Sequence, residues 1–253
     1  MKLPSGPTDA TSNDLSRAAF ISIAGATVIS GATQPELGKP HPPLVSDDDP
    51  AIVIRHMMLQ SAGATIDAFA AAPIHIWGVD ISMRDVAKRL AKHGYVAICP
   101  NLYARQQNAP TGDGATDFRA FYPHMKALER PTMDADFDAT SSWLRVQHPH
   151  AKQAINAKAN FSAVVPFYGA VADIDPKLIE IPVCGSYGER DTSIPAHDVR
   201  TFSKALHVPH DIKIYPEAGH AFFDDQRASY VASAAHDAWK RVLAFLPKYM
   251  RAA

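Results

Sequence analysis

Long apolar runs, excess charge and cysteine are all scarce in this sequence. No stretch approaches the roughly 20 consecutive apolar residues that a transmembrane helix requires, so we expect no membrane span. The 25 basic and 26 acidic side chains give a formal net charge of -1. Because the chain also lacks a Lys/Arg run, nothing indicates a nucleic-acid-binding surface. Apolar residues make up 47% of the chain, which is typical of a soluble globular protein with a sizeable core.

Cysteine and histidine give no sign of a metal site. The two cysteines, Cys99 and Cys184, each lie in an apolar run. A disulfide between them would require Cα atoms within about 7 Å, which a sequence does not reveal, so we expect two buried thiols. Neither residues 148–150 nor residues 207–210 place their histidines at the helical spacing, or beside the cysteines, of recognisable zinc sites. We interpret them as solvated loop histidines.

The N-terminus has features of an export signal. Lys2 and Arg17 precede a run of small and apolar residues, 18–32, which ends in a small-x-small triplet typical of a cleavage site. The start of this stretch resembles a twin-arginine signal whose second arginine is replaced by Ala18, a departure that matters because the export receptor reads the pair. We predict that residues 1–32 direct the protein to the periplasm or outside the cell. The alternative is a frayed tail on a cytoplasmic protein.

The remainder divides into a linker and one domain. Residues 33–49 are rich in proline and end in three aspartates, so they bury little apolar surface and are predicted to be a linker. Residues 50–253 alternate between strand-like and helix-like segments. The strand candidates are 51–59, 64–70, 95–99, 161–165, 181–185 and 211–215, the first two forming a hairpin. The helix candidates are 82–93 (capped by Ser82), 134–147, 152–159, 196–206 and 227–249. This alternation predicts an α/β fold with a mostly parallel sheet covered by helices on both faces.

Two polar loops carry the clearest chemical signal. Asp191 and His220 each follow an apolar strand, which places them at the carboxyl ends of neighbouring strands, where open α/β sheets bind ligands. A carboxylate and then a histidine are the second and third members of a nucleophile–acid–base triad. We predict that Asp191 fixes the tautomer of His220 and that His220 takes a proton from the nucleophile.

These loops also carry a family resemblance. Residues 181–191 and 215–220 resemble the C-terminal half of the dienelactone hydrolase (carboxymethylenebutenolidase) family of α/β-hydrolases. Further matching stretches are 83–90, 94–105, 161–169 and 230–245, in the family's order, so the similarity extends over about residues 51–250. The resemblance implies an α/β-hydrolase fold and hydrolysis of an ester or lactone bond in a small molecule through a covalent intermediate. It implies no cofactor, assigns Asp191 and His220 as catalytic acid and base, and leaves the oligomeric state open.

Two pieces of the family pattern are missing. The family has a Gly-x-Cys-x-Gly-Gly elbow that raises the nucleophile above the sheet, but residues 148–160 contain neither glycine nor cysteine. A second apolar strand, followed by a glutamate that engages the cysteine, is missing between Pro73 and Ile74. We therefore expect a sheet that lacks two central strands. Closure of the neighbouring strands, a poorly stable domain and a faulty gene model all stay open as explanations.

No residue is an obvious replacement for the nucleophile. Ser186 lies in a superficially elbow-like stretch, but the Asp191 loop follows it instead of a helix. Cys99 comes just before Pro100 at a strand end, where a buried thiol is expected. The alternatives to an active hydrolase are a non-catalytic family member that binds a small carboxylate or ester, and a non-functional product.

Three residues are candidates for substrate binding. The family holds a substrate carboxylate with arginines, whose guanidinium groups suit bidentate contacts. Arg119, with Tyr122 close by, lies in the stretch where one such arginine occurs. The second arginine, expected four residues after the catalytic histidine, is Asp224 here, which would repel a carboxylate. Arg227 is the predicted substitute, with a solvated arginine as the alternative.

Overall fold

The computed structural model describes residues 41–52, 54, 56–61, 64–69, 76–147, 163–172 and 174–249. The predicted export signal, the first part of the linker, both predicted gaps and the helix predicted at 152–159 lie outside these residues. Among the described helices, none is long and apolar enough to cross a membrane.

The first sheet is antiparallel. Strands β1 (His56–Ser61) and β2 (Ala64–Phe69) form the predicted hairpin, in a register that runs from His56 opposite Phe69 to Ser61 opposite Ala64. Strand β3 (Cys99–Pro100) pairs with the end of β2. Strand β3 is shorter than the strand predicted at 95–99, because only the last two residues of β2 pair with it.

The second sheet is parallel and positions the two polar loops. Strand β4 (Val183–Gly188) pairs along its whole length with β5 (His210–Tyr215). On the other side of β4, Val164 and Phe167 form parallel bridges with Val183 and Ser186. All six residues of β4 are buried, which is expected for a strand flanked by neighbours and covered on both faces.

One helix begins at Ala196, as the sequence predicts, whereas the helices at residues 81–92, 130–147 and 232–249 begin at other residues than predicted. Helix α1 (Ile81–Lys92) is capped by Asp80, whose side chain accepts from the Met83 N–H, and not by Ser82, because the backbone of Asp80 is still extended. The remaining helices are α2 (Tyr122–Lys126), α3 (Arg130–Gln147), α4 (Ala196–Ala205) and α5 (Ala232–Tyr249), the last containing Pro247. Helix α5 starts later than predicted because residues 224–230 form hydrogen-bonded turns instead.

The apolar core lies on both sides of β4. Cys184 belongs to a cluster that packs α1, residues 163–168 and residues 218–223 against α5. Val183 and Tyr187 point the other way, into a cluster with α4. Side chains that alternate between two covered faces are the packing that the sequence predicts for an α/β sheet.

The last part of the predicted linker lies along α1. The Val45 N–H donates to Asp85 at 2.9 Å, and Asp47 and Asp49 form ion pairs with Lys88 and Lys92 of α1, each at 2.7 Å. These contacts hold residues 45–49 against the helix surface.

Candidate active site

The two polar loops are joined by their backbones. Strands β4 and β5 end side by side at Gly188 and Tyr215. Beyond them, the Glu189 N–H donates to the Tyr215 carbonyl and the Arg190 N–H to the Ala218 carbonyl, both at 2.9 Å. A Cβ atom at position 188 would lie only 2.5 Å from the Ala218 carbonyl oxygen. Glycine at 188 therefore permits the close approach that brings the loops together.

Asp191 and His220 form the pair that the sequence predicts, which we call the dyad. The Nδ1 atom of His220 lies 2.8 Å from Oδ2 of Asp191, and both side chains are buried. The other carboxylate oxygen accepts from the backbone N–H groups of Ser193 at 2.8 Å and Ile194 at 2.9 Å. A carboxylate held in this way favours the tautomer with hydrogen on Nδ1, which makes Nε2 the proton-accepting nitrogen. The catalytic role of the pair stays a prediction.

The aromatic ring of Tyr168 lies beside the imidazole of His220. Its ring centroid lies 5.2 Å from that of His220, and its backbone has a φ of +41°, in the left-handed region. Its hydroxyl is buried and has no hydrogen-bond partner among the described residues. The sequence alone does not indicate Tyr168 as a site residue. Its position just after a predicted strand, within the family-like stretch 161–169, was the available signal.

Arg227 is held by buried carboxylates. Its guanidinium lies 3.0 Å from Asp80 and 3.4 Å from Asp224, and it stacks 3.8 Å from the centroid of the Trp77 ring. Further N–H groups donate to the carbonyls of Gly112 and Ala115. Arg227 is therefore not the solvated arginine of the alternative interpretation, and its positive charge is already matched by two carboxylates.

Arg119 lies on the protein surface, whereas Tyr122 is half-buried. The Arg119 side chain is 81% exposed and forms an ion pair with Asp117 at 2.7 Å, which lowers the pKa of that carboxyl. The ammonium of Lys126 lies 4.6 Å from the centroid of the Tyr122 ring. These ion-pair and cation–π contacts lie within residues 117–126, so the structure does not bring either residue into polar contact with the dyad. Their substrate-binding role stays a prediction.

The candidate replacement nucleophiles are buried. Arg241 of α5 donates a hydrogen bond of 2.9 Å to the Ser186 hydroxyl, on the face of β4 away from α4. Cys99 and Cys184 are buried thiols that are not joined in a disulfide, as predicted. Burial raises the pKa of Cys184 to about 11, so this thiol is protonated at neutral pH. Ser186, Cys99 and Cys184 are thus all buried, and none of them is placed to attack a substrate.

A cavity of about 280 Å³ lies next to Trp77. It is lined by residues 77–79 and 109–112 together with Arg84, Asn101 and Tyr103. The Tyr103 hydroxyl donates to the Ile76 carbonyl, and burial raises the pKa of Tyr103 to about 12.

Within the described part of the chain, no group of three or more His, Cys, Asp or Glu side chains could hold a metal ion.

Comparison with known proteins identifies the family. The model of the dienelactone hydrolase family matches residues 74–157 and 149–250. The chain belongs to the dienelactone hydrolase family. The first match begins directly after the first predicted gap, and residues 149–157 are shared by both matches, in the interval where the elbow is missing. The family assignment from sequence is thus confirmed.

Relatives agree with this assignment. A protein of Yersinia pestis named "Putative carboxymethylenebutenolidase" is 34% identical, covering 66% of this chain and 73% of its own. A protein of the same name from Escherichia coli K12 is 30% identical over 252 aligned positions, which cover 81% of this chain and 91% of the relative. Because 81% of this 253-residue chain is fewer than 252 residues, the remaining aligned positions are gaps in this chain. The relative therefore has internal segments that this chain lacks.

Solved structures confirm the fold class. A "Putative Dienelactone Hydrolase" from Klebsiella pneumoniae superposes with a TM-score of 0.66 and 28% identity, covering 78% of this chain and 99% of the other. A dienelactone hydrolase-like phosphotriesterase from metagenomic libraries superposes with a TM-score of 0.59 at 15% identity, over 79% of this chain and 99% of the other. The dienelactone hydrolase-family chain therefore has an α/β-hydrolase-type fold, and the residues that the structure describes are consistent with the predicted loss of two central strands.

Proposed function

We propose that this dienelactone hydrolase-family protein hydrolyses small ester or lactone bonds with His220 as general base and Asp191 as its orienting carboxylate. The observation that carries the proposal is the buried contact of 2.8 Å between the two side chains. Two backbone N–H groups fix the carboxylate, so the imidazole needs no rearrangement before it accepts a proton. No cofactor is needed for this reaction.

Water is the attacking group in this proposal. Nε2 of His220 takes a proton from a water molecule while the water oxygen bonds to the substrate carbonyl carbon. The bond between that carbon and the leaving oxygen then breaks, and the imidazolium returns its proton to the leaving oxygen. This route replaces a covalent intermediate because residues 148–160 lack the family's cysteine elbow and because Ser186, Cys99 and Cys184 are all buried.

Turnover by this route is slow. Loss of a covalent nucleophile costs hydrolases several orders of magnitude in rate, roughly 10⁴- to 10⁶-fold, and leaves a residual rate from the remaining groups. The proposal therefore concerns a weak hydrolase whose remaining rate depends on the dyad.

The second candidate function is ligand binding without turnover. The missing elbow favours it, since a protein could keep the family's substrate cleft without its nucleophile. This candidate requires that a small ester or carboxylate binds but that substitution of His220 has no effect on hydrolysis.

Hydrolysis of p-nitrophenyl acetate by the purified protein separates the two candidates. The hydrolase proposal expects a rate above that of buffer, which His220→Ala reduces to the buffer rate. His197→Ala is the matched control, because His197 lies on α4 with a side chain that is 79% exposed. Wild-type protein that folds cooperatively but hydrolyses no faster than His220→Ala would contradict the hydrolase proposal and favour binding.

We also propose that the protein is exported. The support is the sequence of residues 1–32, in which positive residues precede a small apolar run. Mass measurement of the protein purified from its own cells tests this. Cleavage after Ala32 is the expected result, whereas an intact Met1 N-terminus in the cytoplasm would contradict it.

A further inference from the structure

Tyr168 lies beside the imidazole in a position that lowers stability in two ways. Its φ of +41° is one that residues other than glycine rarely adopt, and its buried hydroxyl has no hydrogen-bond partner in the described part of the chain. A Phe at this position would pack equally well and avoid the unpaired hydroxyl. Such a group next to a proposed general base, 5.2 Å between ring centroids, indicates that a ligand supplies the missing partner.

The hydroxyl is a neutral hydrogen-bonding group. Burial raises the pKa of Tyr168 well above its usual range, and the negative charges of Asp224, Asp225, Asp80 and Asp191 raise it further. The phenol therefore keeps its proton at neutral pH, and it can donate that proton to a ligand oxygen.

The surroundings of Tyr168 are acidic. Four buried aspartates form what we call the acidic cluster: Asp80, Asp85, Asp224 and Asp225. Two guanidinium groups face them: Arg227 pairs with Asp80 and Asp224, and Arg89 pairs with Asp85 and Asp225. The Nε2 atom of His41 also lies 3.7 Å from the Asp225 carboxylate. Four buried carboxylates against two guanidinium groups leave an excess of negative charge, which repels a substrate carboxylate.

We propose that the Tyr168 hydroxyl donates a hydrogen bond to an oxygen of the substrate, and that this substrate is an uncharged ester or lactone, not one that carries a carboxylate. The inference rests on the proposed function for the place of the substrate beside His220. It assigns Tyr168 to substrate positioning and the acidic cluster to discrimination by charge.

Tyr168→Phe tests the hydrogen bond. The variant keeps the ring and the backbone, so the thermal midpoint should be unchanged or higher, because the unpaired hydroxyl is gone. The KM for p-nitrophenyl acetate should rise about 3- to 10-fold, the loss expected for one neutral hydrogen bond, with little change in kcat. A folded variant with unchanged KM would overturn the assignment of Tyr168.

A matched pair of esters tests discrimination by charge. p-Nitrophenyl valerate and p-nitrophenyl hemisuccinate share a leaving group and are similar in size, but only the second carries a carboxylate. We expect kcat/KM to favour the valerate by at least about 10-fold and Asp224→Asn to narrow that ratio, since it removes one negative charge from the cluster. Asp134→Asn, at a half-exposed position on α3, is the control and should leave the ratio unchanged. Equal kcat/KM values for the two esters would overturn the proposal.

Binding measurements keep this inference separate from the proposed function. If neither ester is hydrolysed, the hydrolase proposal fails, and calorimetric binding of γ-butyrolactone and of 4-hydroxybutyrate decides the inference instead. Tighter binding of the lactone, weakened in Tyr168→Phe, would support it. Equal binding of both compounds, or binding of neither, would overturn it.

Discussion

Gly188 and Ala218 meet where the two polar loops approach each other, and a Cβ at Gly188 would lie 2.5 Å from the Ala218 carbonyl oxygen. Real Cβ atoms do not approach a backbone oxygen this closely, so any side chain at 188 forces the loops apart. The close approach at Gly188 thus governs the distance between Asp191 and His220.

Gly188→Ala should therefore damage the site more than it damages the fold. We expect a loss of about 1–3 kcal/mol in the free energy of unfolding, typical of overpacking, and esterase activity reduced to the level of His220→Ala. Gly94→Ala is the control: Gly94 has a φ of +80° with open space around it, so the substitution should cost about 1 kcal/mol of backbone strain without affecting activity. Urea unfolding and ester hydrolysis measure the two effects. Full activity in folded Gly188→Ala would contradict this role.

Arg227 should matter for stability, since it holds two buried carboxylates. Arg227→Met leaves Asp80 and Asp224 without that partner, and we expect a loss of about 3–5 kcal/mol in the free energy of unfolding at neutral pH. Arg119→Met should leave the unfolding transition unchanged, because its side chain is 81% exposed. Comparable unfolding midpoints for the two variants would show that the buried ion pairs do not stabilise the fold.

The thiol of Cys184 should resist modification and weaken the fold at alkaline pH. Burial raises its pKa from 9.0 to about 11, so the folded state binds this proton more tightly than the unfolded state. Stability from this group is complete below about pH 9 and is lost as pH rises toward about 11. In a Cys99→Ala background, iodoacetamide should label Cys184 in urea but not in the folded protein at pH 8. Rapid labelling without denaturant would refute the buried, protonated thiol.

The sequence predicts the dyad but not its surroundings, and the reason is distance along the chain. Asp191 and His220 follow neighbouring parallel strands, so the local strand pattern alone brings them together. The partners of Arg227 include Asp80, which lies 147 residues away, and no local pattern indicates that contact. The start predicted for α5, at about Arg227, was wrong for a similar reason. The side chains of Asp225, Gln226 and Arg227 contact distant segments of the chain, and the helix begins only at Ala232.

The family resemblance predicts the fold class because it depends on strand order and loop motifs, which survive the loss of internal segments. It does not predict Tyr168, since an unpaired hydroxyl becomes visible only when all neighbouring groups are placed. Nor does it predict the cap of α1. Asp80 and Ser82 are both good capping residues, and the extended backbone at Asp80 decides between them.

Asp191→Asn should remove most of the remaining activity while leaving the fold intact. The amide keeps an oxygen for the N–H groups of Ser193 and Ile194, but its NH₂ group then faces Nδ1 of His220 and favours the wrong tautomer. We expect kcat/KM to fall by at least about 100-fold, with KM nearly unchanged. Activity close to that of wild type would mean that the carboxylate does not orient the imidazole.

The most direct test of the account is a double-mutant cycle on ester hydrolysis with wild type, Asp191→Asn, His220→Ala and the double variant. Because the two side chains act as one acid–base unit in this account, the double variant should be no slower than His220→Ala alone. Two results would contradict the claim that this pair is the catalytic base. One is a double variant in which the activity losses of Asp191→Asn and His220→Ala add, and the other is a wild-type rate equal to that of His220→Ala.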